Sequence, residues 1–122
     1  MANKKVMIVD DDTEFLEELN EMMSMGGYEM IPVNDSTTAV DIAAREKPDL
    51  IILDLKMPGK SGFQLAEEIR RFPELEKIPI IAMSAFFKDE YTLLLNIFGI
   101  KKCLKKPFNP LEVITAVEAA LD

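Results

Sequence analysis

The sequence contains no histidine in its 122 residues, and this absence removes several classes of function. Catalysis by Ser-His-Asp or Cys-His groups requires an imidazole and is therefore excluded. A zinc site built on imidazole ligands is excluded for the same reason. The sequence also has a single cysteine, Cys103, which cannot form an internal disulfide, so we expect a reducing compartment.

Excess positive charge and long apolar runs are also missing. The formal net charge of −8 disfavours nonspecific binding to nucleic acid or acidic lipid, because both require a basic surface. No apolar run approaches the roughly 20 residues that span a bilayer. The apolar stretch near the start ends after Val9, which is too early for a signal peptide. We expect a cytoplasmic protein with no membrane or nucleic-acid partner, folded as one domain over residues 1–122.

What the sequence does contain is a series of short apolar runs that alternate with amphipathic segments. The runs have the length of buried strands, and the segments between them carry apolar residues at helical spacing. This alternation predicts an α/β fold, with a parallel sheet covered by helices on both faces. The predicted strands are Val6–Val9, Tyr28–Val33, Leu50–Leu53, Ile78–Met83 and Ile100–Leu104.

The charge content of these strands predicts their order in the sheet. The first, third and fourth strands contain no charged residue, as expected for strands covered on both faces. The second contains Glu29 and Pro32 and the fifth contains Lys101 and Lys102, which are tolerated at sheet edges. The order 2-1-3-4-5 satisfies both observations. It is the order of the flavodoxin-like doubly wound (βα)5 fold, in which ligands bind beyond the carboxyl ends of the strands.

Several residues predict where the helices begin and end. Asp12 or Thr13 can cap the first helix, and Ser36 is expected to begin the second. The fourth helix is predicted over Lys88–Phe98, and Asn109 is expected to cap the fifth. The apolar stripe of the last helix is predicted to consist of Leu111, Ile114, Val117 and Leu121.

Polar side chains that could take part in binding or catalysis follow the strands. Because the carboxyl ends of parallel strands share one edge of the sheet, we expect these side chains to converge on one patch. They are Asp10, Asp11 and Asp12 after the first strand, Asp54 after the third, Ser84 after the fourth, and Lys105 and Lys106 after the fifth.

A patch with several carboxylates needs a counter-charge. Two carboxylates about 4 Å apart repel by about 4 kcal/mol at an effective dielectric constant near 20. A hard dication bound by oxygens relieves this repulsion, and a site with few carboxylates suits Mg²⁺. A carboxylate, a hydroxyl and an ammonium group beside Mg²⁺ are the functional groups typical of a phosphoryl-transfer site. Asp54 is then the expected nucleophile, since carboxylates form acyl phosphates.

The four segments VMIVDDD, LIILDLKMPGKSG, IIAMSA and CLKKPF carry a family resemblance. Each motif alone has little specificity, but their order and spacing together are highly specific. Over its whole length the chain resembles a response regulator receiver domain of two-component signalling, in the CheY-like superfamily. The resemblance implies a signalling domain that accepts a phosphoryl group from a sensor histidine kinase or a histidine phosphotransfer protein. Because the chain has no histidine, the phosphohistidine must belong to that partner.

The resemblance also implies a role for each matching residue. Asp54 would accept the phosphoryl group and help to bind Mg²⁺. Asp11 would bind the ion directly, Asp10 mainly through water, and Lys56 through its backbone carbonyl. Ser84 would donate a hydrogen bond to one phosphoryl oxygen, and Lys106 would pair with another. In this family the bond between Lys106 and Pro107 is usually cis, and the response is carried by helix 4, strand 5 and helix 5 towards a downstream target.

The chain departs from the family pattern at Cys103. Receivers commonly carry Tyr or Phe three residues before the active-site lysine, and that ring moves inward when the hydroxyl residue moves towards the phosphate. A thiol is too small for this exchange, so we expect a different switch, for which Phe86 and Phe87 are candidates. Lys56 and Phe86 match positions that border the path of attacking water in this family. A bulky Phe86 is therefore expected to slow dephosphorylation.

Other interpretations remain open for the same residues. The DDDT segment has the spacing of haloacid-dehalogenase-like phosphatases, with Asp10 as nucleophile. A flavin-binding module shares the topology, but an aspartate triplet after strand one would repel its phosphate. The third alternative interpretation is a receiver domain that acts only as an interaction surface, without phosphorylation. Taken singly, Asp54 could bond its own backbone, Lys106 could be a solvated lysine, and Asp12 is expected only to cap its helix.

Overall fold

The computed structural model describes residues 3–86, 88–100, 102–106 and 109–121. Within these residues, five parallel strands form one sheet in the order β2-β1-β3-β4-β5. The order predicted from the uncharged central strands is confirmed. The strands are β1 (Lys5–Val9), β2 (Glu29–Val33), β3 (Leu50–Asp54), β4 (Ile80–Ser84) and β5 (Lys102–Lys105).

Helices connect the strands and cover both faces of the sheet. Cores of buried side chains lie on the two faces, one beneath α2, α3 and α4 and the other beneath α1 and α5. None of the described helices is both long and apolar enough to cross a bilayer. The helices are α1 (Thr13–Met25), α2 (Ala39–Glu46), α3 (Gly62–Arg71), α4 (Tyr91–Ile97) and α5 (Pro110–Leu121).

Some helix boundaries differ from the predicted ones. Ser36 begins a 3₁₀ turn, Ser36–Thr38, rather than an α-helix, because the Asp35 side chain accepts the Thr37 N–H and tightens the backbone there. The fourth helix begins at Tyr91 rather than Lys88. Two predicted caps are confirmed. The Asp12 carboxylate accepts the N–H of Phe15, and the Asn109 side chain accepts the N–H of Glu112.

The predicted apolar stripe of α5 is wrong at Leu111. That side chain is 70% exposed, whereas Val113 and Val117 are fully buried. Residues four apart lie on the same face of a helix, and Leu111 precedes Val113 by two residues, about 200° around the axis. Leu111 therefore points away from the core that Val113 and Val117 enter.

The Arg70 side chain ties several segments together at the amino-terminal edge of the sheet. Its Nε donates to the carbonyl oxygen of Phe98 at 3.0 Å, directly after α4. Its Nη1 donates to the carbonyl oxygens of Glu76 at 2.9 Å and Ile78 at 2.7 Å, before β4. The carboxyl ends of α3 and α4 and the entry to β4 are thus joined by one guanidinium group.

Candidate functional site

Three carboxylates meet at the carboxyl edge of the sheet. One ligand oxygen from each of Asp10, Asp11 and Asp54 lies within 4.8 Å of the others. Asp10 and Asp11 follow β1 and Asp54 ends β3, and these strands are paired neighbours with Val9 opposite Leu53. Asp10 is fully buried, Asp54 is 8% exposed and Asp11 is exposed. The structure therefore brings together Asp10, Asp11 and Asp54, which the sequence predicted to share a site.

The Lys106 ammonium group lies among these carboxylates. Its Nζ is 2.6 Å from Oδ2 of Asp10 and 3.8 Å from Oδ2 of Asp54. The Phe15 ring lies on another side, with its centroid 4.3 Å from the same nitrogen, close enough for a cation–π contact. The Lys106 N–H donates to the Ser84 carbonyl oxygen, which fixes the backbone after β5. In this state the lysine is paired with Asp10 and has Asp54 within reach.

The environment of Asp54 makes its charge costly. Burial is the main reason that the pKa of its carboxyl is raised to about 6, and the charges of Asp10 and Asp11 raise it further. Lys106 and the backbone N–H of Lys56 lower that pKa, but they do not cancel the increase. One nearby ammonium group thus leaves the three carboxylates undercompensated, and the oxygen-rich donor set fits a hard dication.

Ser84 ends β4, the strand that pairs with β3, and it is almost fully buried. Its Oγ accepts a hydrogen bond from the backbone N–H of Phe86 at 3.1 Å. Residue 85 onwards forms the β4–α4 loop, which we define as residues 85–90. The serine hydroxyl is therefore bonded to the loop that would have to move if the serine changed partner.

The β3–α3 loop, defined as residues 55–61, is bonded at its stem. The Leu55 N–H donates to the Met83 carbonyl oxygen at 2.9 Å, and the Gly62 N–H donates to the Leu55 carbonyl oxygen at 3.0 Å. A Cβ atom on Gly62 would lie 2.3 Å from the Asp54 carbonyl oxygen and 2.8 Å from Cα of Leu55. Only glycine allows α3 to begin this close to the end of β3.

Further bonds hold the middle and the far end of the β3–α3 loop. The Ser36 hydroxyl donates to the Pro58 carbonyl oxygen and accepts the Lys60 N–H, both at 3.0 Å. Ser61 and Gln64 form a reciprocal capping box at the start of α3. Sequence patterns gave Ser36 only as a helix start, because its partners lie more than 20 positions along the chain.

The described residues of the β4–α4 loop are all exposed. Phe86 is 70% exposed, and Nζ of Lys56 lies 5.7 Å from its ring centroid, so these two side chains meet across the mouth of the site. Glu90 precedes α4 and makes no side-chain cap bond. Phe87 and Pro107, which the sequence also marked, lie outside the described residues.

Cys103 is half-buried on β5, opposite Ala82 of β4, and packs against the core beneath α2, α3 and α4. Burial is the main cause that raises the pKa of its thiol. Tyr91, the first residue of α4, packs against the same core and contacts the Phe63 ring edge-on. The described structure therefore places a small thiol on β5, where the family pattern has an aromatic ring.

Comparison with known proteins gives a consistent result. A family described as the response regulator receiver domain matches residues 6–118. The phosphate regulon transcriptional regulatory protein PhoB of Pseudomonas aeruginosa is 32% identical, over 99% of this chain and 53% of its own length. The alkaline phosphatase synthesis transcriptional regulatory protein PhoP of Bacillus subtilis is 34% identical, over 98% of this chain and 49% of its own length. The chain thus spans about half the length of these relatives.

Solved structures agree with the fold. The Vibrio cholerae chemotaxis protein CheY4, crystallised at low pH, has a TM-score of 0.94 and 27% identity, covering 98% of this chain and 100% of its own. A response regulator structure from Chloroflexus aurantiacus has a TM-score of 0.90 and 28% identity, covering 98% of both chains.

Proposed function

The chain belongs to the response regulator receiver domain family of two-component signalling, and we propose that its Asp54 accepts a phosphoryl group from a phosphohistidine on a partner protein. The observation that supports this assignment is the placement of Asp54. Its carboxylate is nearly buried, its pKa is raised, and it shares a small volume with two further acids and the Lys106 ammonium group. Perturbed carboxylates grouped in this way are typical of reactive sites.

The proposed reaction is a transfer between two side chains. An oxygen of Asp54 attacks the phosphorus atom and forms the acyl phosphate bond, while the bond between phosphorus and the partner's imidazole nitrogen breaks. The nitrogen keeps the electron pair and takes up a proton. Self-catalysed hydrolysis would release inorganic phosphate and restore the carboxylate, so the domain acts as a signalling device rather than an enzyme for external substrates.

The acidic residues would hold Mg²⁺ during this reaction. The carboxylates of Asp10, Asp11 and Asp54 are oxygen donors within 4.8 Å of each other, and the carbonyl of Lys56 would complete the protein ligands. The ion supplies positive charge that offsets the repulsion between the carboxylates and the incoming phosphoryl oxygens. Lys106 adds a second positive charge beside Asp54, at 3.8 Å.

The phosphorylated state would differ from the free state chiefly in charge. The modified residue would carry about −1.5 to −2 at neutral pH. Lys106 would shift from Asp10 towards a phosphoryl oxygen, and the Ser84 hydroxyl would donate to another. Because the Ser84 Oγ accepts the Phe86 N–H in the free state, a shift of this hydroxyl towards the phosphoryl group would pull on that bond or break it, and so move the β4–α4 loop. With Cys103 on β5, we assign the switch to this loop and to the surface of α4, β5 and α5.

The partners follow from this chemistry. The donor would be a sensor histidine kinase or a histidine phosphotransfer protein, and the signal would pass to a protein target or effector domain in the cytoplasm. We propose no direct contact with nucleic acid or membrane, and one receiver domain over residues 1–122. The competing phosphatase reading needs Asp10 as nucleophile, and it is disfavoured because Asp10 is fully buried and paired with Lys106 at 2.6 Å.

The test is mass spectrometry after incubation with acetyl phosphate and Mg²⁺. Wild type should gain one labile phosphoryl adduct, and Asp54→Ala should gain none. The control is Asp41→Ala, which removes an exposed carboxylate from α2 and should leave the adduct intact. An adduct retained in Asp54→Ala would contradict the assignment. Steady hydrolysis with label trapped on Asp10 would favour the phosphatase, and phosphate-independent partner binding would favour a pure interaction surface.

A further inference from the structure

Ser36 holds the β3–α3 loop from a distant part of the chain. Its side chain is buried, and its hydroxyl uses both hydrogen-bonding capacities on that loop. Oγ donates to the Pro58 carbonyl oxygen and accepts the Lys60 N–H, both at 3.0 Å. A hydroxyl that donates to one backbone group and accepts from another fixes the loop in distance and in orientation.

The residue between these two partners fits the same turn closely. Gly59 has φ of +83°, in the left-handed region that glycine adopts without strain. A Cβ atom there would lie 3.1 Å from Cγ2 of Thr37 and 3.3 Å from Oγ of Ser36. The loop therefore bends around the Ser36 hydroxyl at short range.

The 3₁₀ turn that carries Ser36 is itself fixed. Asp35 precedes the turn, and its Oδ1 accepts the N–H of Thr37 at 3.0 Å and the hydroxyl of Thr37 at 2.7 Å. The Thr38 hydroxyl donates to the Asp35 carbonyl oxygen at 2.9 Å. The position of the Ser36 hydroxyl is thus fixed by the hydrogen bonds within its own turn.

Lys56 lies along the chain between Asp54 in the acidic site and Pro58, which is bonded to Ser36. It is two residues after Asp54, and its N–H lies against the Asp54 carboxyl, where it lowers the pKa. It is also two residues before Pro58, whose carbonyl oxygen is bonded to Ser36. With the stem of the loop bonded at Leu55, the backbone of Lys56 has a fixed point on each side.

We propose that Ser36 is a positioning residue for the acidic site, which holds the Lys56 backbone where it can serve Asp54 and a divalent cation. The proposal rests on the proposed function, since it assigns the carbonyl of Lys56 to the Mg²⁺ ligands. Removal of the hydroxyl leaves the Pro58 carbonyl and the Lys60 N–H to find other partners, so the loop should sample more conformations.

The experiment compares Ser36→Ala with Thr38→Ala. Both remove one hydroxyl from the same 3₁₀ turn, but the Thr38 hydroxyl bonds within the turn and not to the loop. Mg²⁺ affinity is measured by NMR titration of backbone amides, stability by urea unfolding, and loop opening by exchange of the Lys60 amide without metal. Ser36→Ala should weaken Mg²⁺ binding about tenfold and speed exchange at Lys60. Thr38→Ala should change Mg²⁺ affinity less than about twofold.

The phosphorylation rate gives a second readout. The rate for Ser36→Ala with acetyl phosphate should fall at low Mg²⁺ and recover at saturating Mg²⁺, which a general loss of folding would not produce. Wild-type Mg²⁺ affinity in Ser36→Ala, or equal losses in both variants, would overturn the proposal. A wild type that binds Mg²⁺ but gains no phosphoryl group on Asp54 would refute the proposed phosphoryl transfer. It would leave this inference standing, because the inference depends only on the Mg²⁺-binding part of the proposed function.

Discussion

The two loops that flank Asp54 are held very differently. The β3–α3 loop is bonded at its stem through Gly62, in its middle through Ser36, and at its end through the Ser61 capping box. The described residues of the β4–α4 loop are exposed, and the helix that follows begins without a side-chain cap. α4 is also short, with Leu95 as the buried residue of its seven.

This difference indicates which side of the site can respond to a change of charge at Asp54. A segment with many buried bonds opens rarely, whereas a segment with few buried contacts samples other conformations at small free-energy cost. A phosphoryl group that favours one such conformation shifts its population. The β3–α3 loop is suited to hold ligands in place, and the β4–α4 loop is suited to change.

Gly62→Ala should have the largest effect, because it disturbs the stem of the β3–α3 loop, the more firmly held of the two loops. The new Cβ would lie 2.3 Å from a backbone oxygen, so α3 or β3 must move. We expect a loss of about 3 kcal/mol or more in the free energy of unfolding, measured with urea. Gly27→Ala is the control: its φ is +93° but nothing lies within 4 Å, so the loss should be about 1 kcal/mol. Equal losses would show that the close approach at Gly62 is unimportant.

Asp54→Asn should have the next largest effect, since it removes repulsion where the loops meet. The pKa of Asp54 is raised from 3.8 to about 6, so the folded state holds more protons than the unfolded state between these values. The stability that Asp54 contributes therefore falls as pH rises from about 4 to about 6. In EDTA, the variant should be more stable than wild type by about 1–2 kcal/mol at about pH 7.5.

That gain should shrink towards zero near about pH 3, below both pKa values, where the wild-type carboxyl is protonated in the folded and the unfolded state. Urea unfolding at several pH values measures the difference. Asp41→Asn, at an exposed position, serves as the control for removal of one negative charge. A gain that does not vary with pH would argue against repulsion at Asp54 as its source.

Ser61→Ala and Glu90→Ala compare the starts of α3 and α4 directly. Ser61 accepts the N–H of Gln64 and belongs to a capping box, so its loss should cost about 1 kcal/mol. Glu90 makes no cap bond, and its replacement should change stability by less than about 0.5 kcal/mol. Urea unfolding measures both. A larger loss for Glu90→Ala would reverse the comparison of the two loops.

Phe86→Ala should have the smallest effect and tests the exposed side. The ring meets the Lys56 side chain at the mouth of the site, where we propose that it hinders attacking water. The lifetime of phosphorylated Asp54 should shorten about two- to fourfold, a free-energy change below about 1 kcal/mol, with stability unchanged because Phe86 is exposed. Decay of the mass-spectrometric adduct measures the lifetime. An unchanged lifetime would remove Phe86 from this role.

The sheet and the acidic cluster could be predicted from the sequence because both depend on local signals. Uncharged runs marked the central strands, and residues after parallel strands must share an edge. The burial of Leu111 was predicted wrongly, because a short helix rich in apolar residues gives no unique phase. The contacts of Ser36 with the β3–α3 loop and of Phe15 with Lys106 could not be predicted. They depend on which atoms the finished fold places beside each side chain.

The three bonds of Arg70 have a mechanical consequence for α4. One of them anchors the chain at Phe98, just past the last turn of that helix, while its first turn follows the β4–α4 loop, whose described residues are exposed. A helix that is fixed at its carboxyl end can move only by rotating about that end, where Gly99 has φ of +68°. Any swing would therefore carry the exposed Leu93 farther than the exposed Ile97, so the amplitude of the signal would grade along the helix.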